Sequence, residues 1–189
     1  NSRFYRVNLL WEQGTLRFRD IHLFDENMVS DYLKEPGTSS QCFYYTLPLV
    51  DGFYWSSLET IAGLKFKSGD GKELNGSNLV ATNSPAGQLL VRWPTSSLAG
   101  EISVQFDENS LIISATGRLE DNWYLELSTA PEADLPFLKI EPEKLSGKFR
   151  NWTYVVRLKT GRFIKEQHKP LKIIPHNNRI VIDFSSREK

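Results

Sequence analysis

The sequence predicts an all-β fold, an antiparallel β-sandwich of jelly-roll type or larger, and three observations carry that expectation. Apolar residues alternate with polar ones in short rows from the first strand to the last. The rows recur at intervals of about ten residues, separated by Gly, Pro, Asn, Asp and Ser. Only one stretch has a helical period. Successive side chains of a strand point to opposite faces of its sheet, so an alternating row has one buried face. Many such rows without intervening helices exclude a βαβ order.

Tyr5, Val7, Leu9 and Trp11 form the first row, and Glu12-Gln13-Gly14 supplies a short turn in which Gly14 can take positive φ. The second row runs from Thr15 to Phe24, and the two read as a hairpin. Within the second row the apolar face passes from Leu16 and Phe18 to Ile21 and Leu23, a change of phase between Arg19 and Asp20. A β-bulge there returns both pairs to the core and re-aims Arg19, Asp20 and His22. Residues 26–34 hold the helical stretch: Asp25 caps it, Met28, Val29, Tyr32 and Leu33 share a face, and Glu35-Pro36-Gly37 ends it. Aromatic segments follow at Cys42 to Leu47 and Phe53 to Trp55.

From residue 60 onward the pattern is strands and turns. Ile61 to Lys67 precedes the turn Ser68-Gly69-Asp70-Gly71, and Leu89, Val91 and Trp93 alternate before Pro94. Ile102, Val104 and Phe106, then Leu111, Ile113 and Ala115, flank the loop Asp107-Glu108-Asn109-Ser110 as a second hairpin. Trp123, Leu125 and Leu127 make another row. Trp152, Tyr154, Val156 and Leu158 share one face, Phe163 to His168 continue, and Ile180, Ile182 and Phe184 end the chain. One domain spanning 1–189 is expected, preferred over a split at 94–100. Because a strand pattern begins almost at Asn1, the domain is expected to be a piece of a longer polypeptide.

The chain's 23 Lys+Arg balance 23 Asp+Glu, but unequally along its length. Residues 1–145 contain 12 basic and 20 acidic side chains, a net of −8, and residues 146–189 contain 11 and 3, a net of +8. The basic quarter shares the strand grammar of the rest, so it is expected to close the same sandwich rather than form a nucleic-acid arm. Its Lys and Arg residues alternate with Phe149, Trp152, Tyr154 and Phe163, but the core row already uses Trp152 and Tyr154, and no nucleic-acid partner is expected. No apolar stretch reaches the length of a membrane helix, so no membrane span is expected.

Chemical motifs are few. His22, His168 and His176 are far apart and sit in neither an HExxH nor a Cys/His cluster, so no metal site and no cofactor are expected. Asp70 and Asp107 lie in loops without an EF-hand pattern, which leaves a calcium site unsupported. Cys42, in an aromatic run, reads as a small buried hydrophobe. There is no GxSxG elbow, and Ser68-Gly69-Asp70-Gly71-Lys72 lacks the spacing of a phosphate loop. Asp20, Asp25, Glu26, Asp51 and Glu59 lie close to aromatics and are the candidates for a glycosidase carboxylate pair. Asp20 and His22 share a strand face with Arg19 one step away, which reads first as a structural ion pair.

Two aromatic triplets stand out, Phe43-Tyr44-Tyr45 and Phe53-Tyr54-Trp55. Consecutive residues of a strand cannot all face one core, so at least one of each triplet points away. Outward aromatics stack on the C–H faces of sugar rings, while neighbouring polar groups bind the hydroxyls. Tyr44, Asp51, Tyr54 and Trp55 are therefore the expected ligand-binding residues. The whole-chain texture, aromatic-rich, Pro/Gly-punctuated and without a catalytic signature, is similar to that of accessory sandwich domains of secreted polysaccharide-processing proteins. That resemblance implies a non-catalytic, extracytoplasmic carbohydrate-binding or accessory module. The alternatives are a glycoside hydrolase using paired carboxylates and a structural module docked on a neighbouring domain.

Overall fold

The alternating rows become strands, and the turn residues between them set how the strands pair. The computed structural model describes residues 2–25, 28, 46–84, 88–96, 99–119 and 122–185. In chain order the strands are β1 Tyr5–Glu12, β2 Thr15–Leu23, β3 Leu47–Asp51, β4 Gly63–Ser68, β5 Val80–Asn83, β6 Leu89–Thr95, β7 Gly100–Phe106 and β8 Ser110–Gly117. They continue as β9 Trp123–Ser128, β10 Phe137–Glu141, β11 Lys144–Phe149, β12 Trp152–Thr160, β13 Arg162–Ile164, β14 Lys172–Ile174 and β15 Arg179–Asp183. Seven strands make one antiparallel sheet, ordered β1-β2-β4-β9-β14-β13 with β3 also paired to β2. Eight make the other, ordered β10-β11-β12-β15-β8-β7-β6-β5.

The two sheets pack face to face as a β-sandwich over a continuous apolar core to which both contribute. Phe66 of β4 meets Trp93 of β6 with ring centroids 5.7 Å apart, and Tyr5 of β1 stacks on Phe184 at 4.2 Å. Burying each such aromatic or aliphatic side chain contributes roughly 1.5–3 kcal/mol. Two buried tyrosines also hydrogen-bond across the core: Tyr5 donates to Asp107 O at 2.7 Å, and Tyr154 of β12 donates to Pro48 O of β3 at 2.5 Å.

The β1–β2 hairpin closes through Gln13 and Gly14, at φ 50° and 81°, the two-residue loop whose twist matches that of its strands. Asn8 lies opposite Asp20 but Leu9 lies opposite Phe18, so Arg19 is the extra residue of a bulge. The expected phase change is thus observed, and Leu16, Phe18, Ile21 and Leu23 are all in the core. Beyond the bulge β2 changes neighbour: Arg17 and Phe18 pair with β4, whereas Asp20 to Leu23 pair with β3.

The basic quarter is built into both sheets. Strands β12 and β15 lie inside the eight-stranded sheet, and β14 and β13 complete the other. Across residues 94–100, β6 and β7 form a hairpin with Thr95 opposite Gly100. No helix among the described residues is long and apolar enough to cross a membrane. The helix expected over 26–34 lies outside the described residues except for Met28, whose N–H donates to Asp25 O at 3.0 Å.

Candidate functional site

At the end of β2 both faces of the strand are covered. Ile21 and Leu23 face the core between the sheets, so Asp20 and His22, two residues apart, share the opposite face. Pairing with β3 sets Asp51 directly opposite Asp20. His22 Nε2 lies 3.9 Å from Asp20 Oδ1 and 3.8 Å from Asp51 Oδ2. All three residues are buried. Gly52 permits this closeness, because a Cβ there would lie 2.7 Å from the carbonyl oxygen of the bulge residue Arg19.

Each of the three side chains is held from outside the cluster. Asp20 Oδ2 accepts from the Asn8 amide at 2.8 Å, and Oδ1 accepts from Gly52 N–H at 2.9 Å. Asp51 Oδ1 accepts from the N–H groups of Phe53 and Tyr54 at 2.9 and 2.8 Å, an Asx-type turn that starts the next loop. His22 Nδ1 contacts the Thr46 hydroxyl. That leaves His22 Nε2 buried and without a hydrogen-bond partner between two carboxylates. Burial lowers the His22 pKa, and Arg6 across the β1–β2 pair lowers it further, against the opposing pull of Asp51 and Asp20. An imidazole nitrogen set between two carboxylates can share a cation with them.

Asp51 also borders an open cleft of about 580 Å³. Tyr54, Trp55, Asp134, Lys148, Phe149 and Arg150 line it with Asp51, together with Pro48, Leu135, Pro136 and Leu138. The cleft forms where the loop after β3 meets the β11–β12 turn, in which Arg150 takes a positive φ of 55°. Three of the four expected ligand residues therefore meet at one place: Asp51, Tyr54 and Trp55. The fourth, Tyr44, lies outside the described residues. The triplet at 53–55 is not a strand but part of the turn that follows β3, and there Phe53 is 72% and Tyr54 64% exposed while Trp55 is only 3%. Trp55 is edge-on to Phe137 at 5.8 Å, and its carbonyl accepts from Ala130 N–H. Trp55 lines the cleft as a buried ring, which leaves Phe53 and Tyr54 as the open rings of the triplet, and of these two Tyr54 lines the cleft.

The other candidates are dispersed. Asp25 borders a smaller recess of about 290 Å³ beside Tyr154 and Phe184, Glu59 is exposed on a loop, and Glu26 and Cys42 lie outside the described residues. Asp70 is engaged by the Ser68 hydroxyl and by Lys72, which draw its pKa down to about 2. Asp107 accepts from the Gln88 and Gln105 amides, each at 2.8 Å. Among the described residues, the group with metal-ligand chemistry and geometry is Asp20, His22 and Asp51. Sequence spacing missed it because Asp51 joins through β2–β3 pairing; the legible signal was Asp20 and His22 on one face beside a bulge. No family model, curated protein or solved structure matches this chain.

Proposed function

We propose that the domain is a non-catalytic carbohydrate-binding or accessory module of an extracytoplasmic polysaccharide-processing protein, and that the cleft beside Asp51 takes the sugar. The observation that supports this reading is the lining of the cleft. An exposed phenol, Tyr54, lines the cleft together with Phe149, Asp51, Asp134, Lys148 and Arg150. A pyranose presents apolar C–H faces and a rim of hydroxyls, and this mixture of rings with charged donors and acceptors matches both. Affinity electrophoresis through gels containing neutral and acidic polysaccharides tests the reading. Retention of the wild-type chain on at least one polysaccharide, reduced several-fold by Tyr54→Ala, supports it. No retention on any of them counts against it. Trp55→Ala is unsuitable as the probe because it also removes a buried core ring.

A docking module is the second reading, and one observation favours it. Phe53, Tyr54, Leu58 and Ile61 are all exposed along a single short segment. Apolar side chains concentrated on a surface mark interaction sites more often than isolated ones do. On this reading the neighbouring domain of the same polypeptide covers them. Phe53→Ser with Leu58→Ser then leaves polysaccharide retention unchanged and abolishes co-elution with that domain supplied as a separate chain.

A further inference from the structure

We propose that Asp20, His22 and Asp51 form a binding site for a divalent first-row transition-metal ion, with zinc as the working case. One donor atom from each residue can be chosen so that all lie within 4.8 Å of one another. A point between them is then roughly 2.5 Å from each, and metal bonds to imidazole and carboxylate of about 2.0–2.2 Å need only a few tenths of an ångström of contraction.

The buried imidazole supplies a second, independent observation. The His22 side chain is 9% exposed, yet its Nε2 has no hydrogen-bond partner and points between two carboxylates. A buried ring nitrogen left bare is unfavourable because its lost hydration is not replaced, so such an atom calls for an occupant. Its surroundings resemble the outer layer of a metal site, where each ligand is oriented by a partner on its far side. Thr46 holds Nδ1 of His22, the Asn8 amide holds Oδ2 of Asp20, and the Phe53 and Tyr54 N–H groups hold Oδ1 of Asp51. These contacts leave His22 Nε2 and Asp51 Oδ2 facing the centre.

The donor chemistry selects the class of ion. Calcium takes six to eight oxygen ligands and magnesium keeps most of its water, so neither suits a site with an imidazole among three donors. Two carboxylates and one imidazole suit zinc and its first-row neighbours. Arg6, across the β1–β2 pair from His22, adds one positive charge, and the two carboxylates outnumber it. Three protein donors leave at least one coordination position for water or a ligand. Asp51 belongs both to this cluster and to the lining of the cleft. The site stands or falls independently of whether the cleft binds sugar.

The test uses the tag-free chain, stripped with chelator and titrated with zinc chloride in a calorimeter. One ion per chain is expected, with a melting temperature raised by roughly 5–10 °C at a hundredfold excess over Kd. His22→Gln and Asp51→Asn each weaken binding at least tenfold, whereas the double variant His168→Gln/His176→Gln binds as the wild type does. If either cluster variant fails to fold, histidine-ring NMR of the wild type decides: zinc shifts the His22 Nε2 resonance and leaves those of His168 and His176 in place. Absence of wild-type binding overturns the proposal. So does binding that survives His22→Gln, or zinc-dependent shifts confined to His168 and His176.

Discussion

From Gly100 to Gly117 two strands pair residue for residue without a slip, and the buried hydrophobic positions are Ile102, Val104, Leu111, Ile113 and Ala115. Where Phe18 to Leu23 of β2 meet Leu47 to Asp51 of β3, the alternating pattern passes through the Arg19 bulge and then a second slip between Ile21 and His22. It buries two carboxylates and an imidazole as well as its apolar residues. The hairpin leaves the other side of its strands half-buried, whereas the corner buries both sides. Polar residues whose burial is not required by the core are where function is to be sought, because desolvating them costs free energy that packing must offset.

The largest effect expected from breaking this contrast is in the regular region. Ile113→Ala leaves a cavity in a site walled by paired strands and should cost about 2–5 kcal/mol. Urea denaturation measures it, and zinc binding by the folded protein should be unchanged. A smaller loss is expected at the corner. Gly52→Ala forces a Cβ against Arg19 and should cost about 1–3 kcal/mol while disturbing the Asp20–Asp51 pairing. A destabilised variant with wild-type zinc affinity would show that the bulge serves the fold alone.

Next in size is a pH effect at Asp183, a buried carboxylate of the regular sheet that is fully partnered. Ser185 donates to it from N–H and hydroxyl at 3.0 and 2.7 Å, and Lys159 lies 3.1 Å away. Burial pushes its pKa up, but these donors outweigh burial and hold it below the ordinary 3.8. A carboxylate depressed in the folded state contributes stability above its unfolded pKa, and that contribution is lost as pH falls through the lower folded value. Asp183→Asn should therefore flatten the stability profile below about pH 4 relative to wild type. Acid titration of the urea midpoint reads the difference.

The smallest effect is that of salt. Lys172 lies 3.9 Å from Glu126 where the basic quarter meets the acidic remainder, and both are partly exposed. Moderate salt should lower stability by at most about 1 kcal/mol through screening. A stability that stays level or rises would show that the two charge blocks contribute nothing by attraction.

Particular residues show how far the sequence could be read. The bulge at Arg19 was legible because Leu16, Phe18, Ile21 and Leu23 could not share a face without an extra residue. The Gln13-Gly14 turn was legible from its glycine. The turn at Asn177-Asn178, with φ of 48° and 59°, went unread although paired asparagines favour that conformation. Trp55 was read as part of a binding platform, and its neighbours alone could not reveal that Phe137, eighty-two residues later, would cover it. Tyr54 and Asp51 could be nominated from the aromatic triplet, but Lys148, Phe149 and Arg150 reach the same cleft only through packing of β11 and β12 beside β3.

By itself the sequence determined the fold class, the hairpins and the faces that make the core. Those depend on residues one, two and three apart, whose relation is set by covalent geometry and turn conformation. Tertiary structure alone decided that Asp51 lies opposite Asp20, that His22 is enclosed between them and that the cleft opens beside Asp51. Those contacts join distant segments through a pairing register, and register is chosen by the burial of whole sheets rather than by any local pattern.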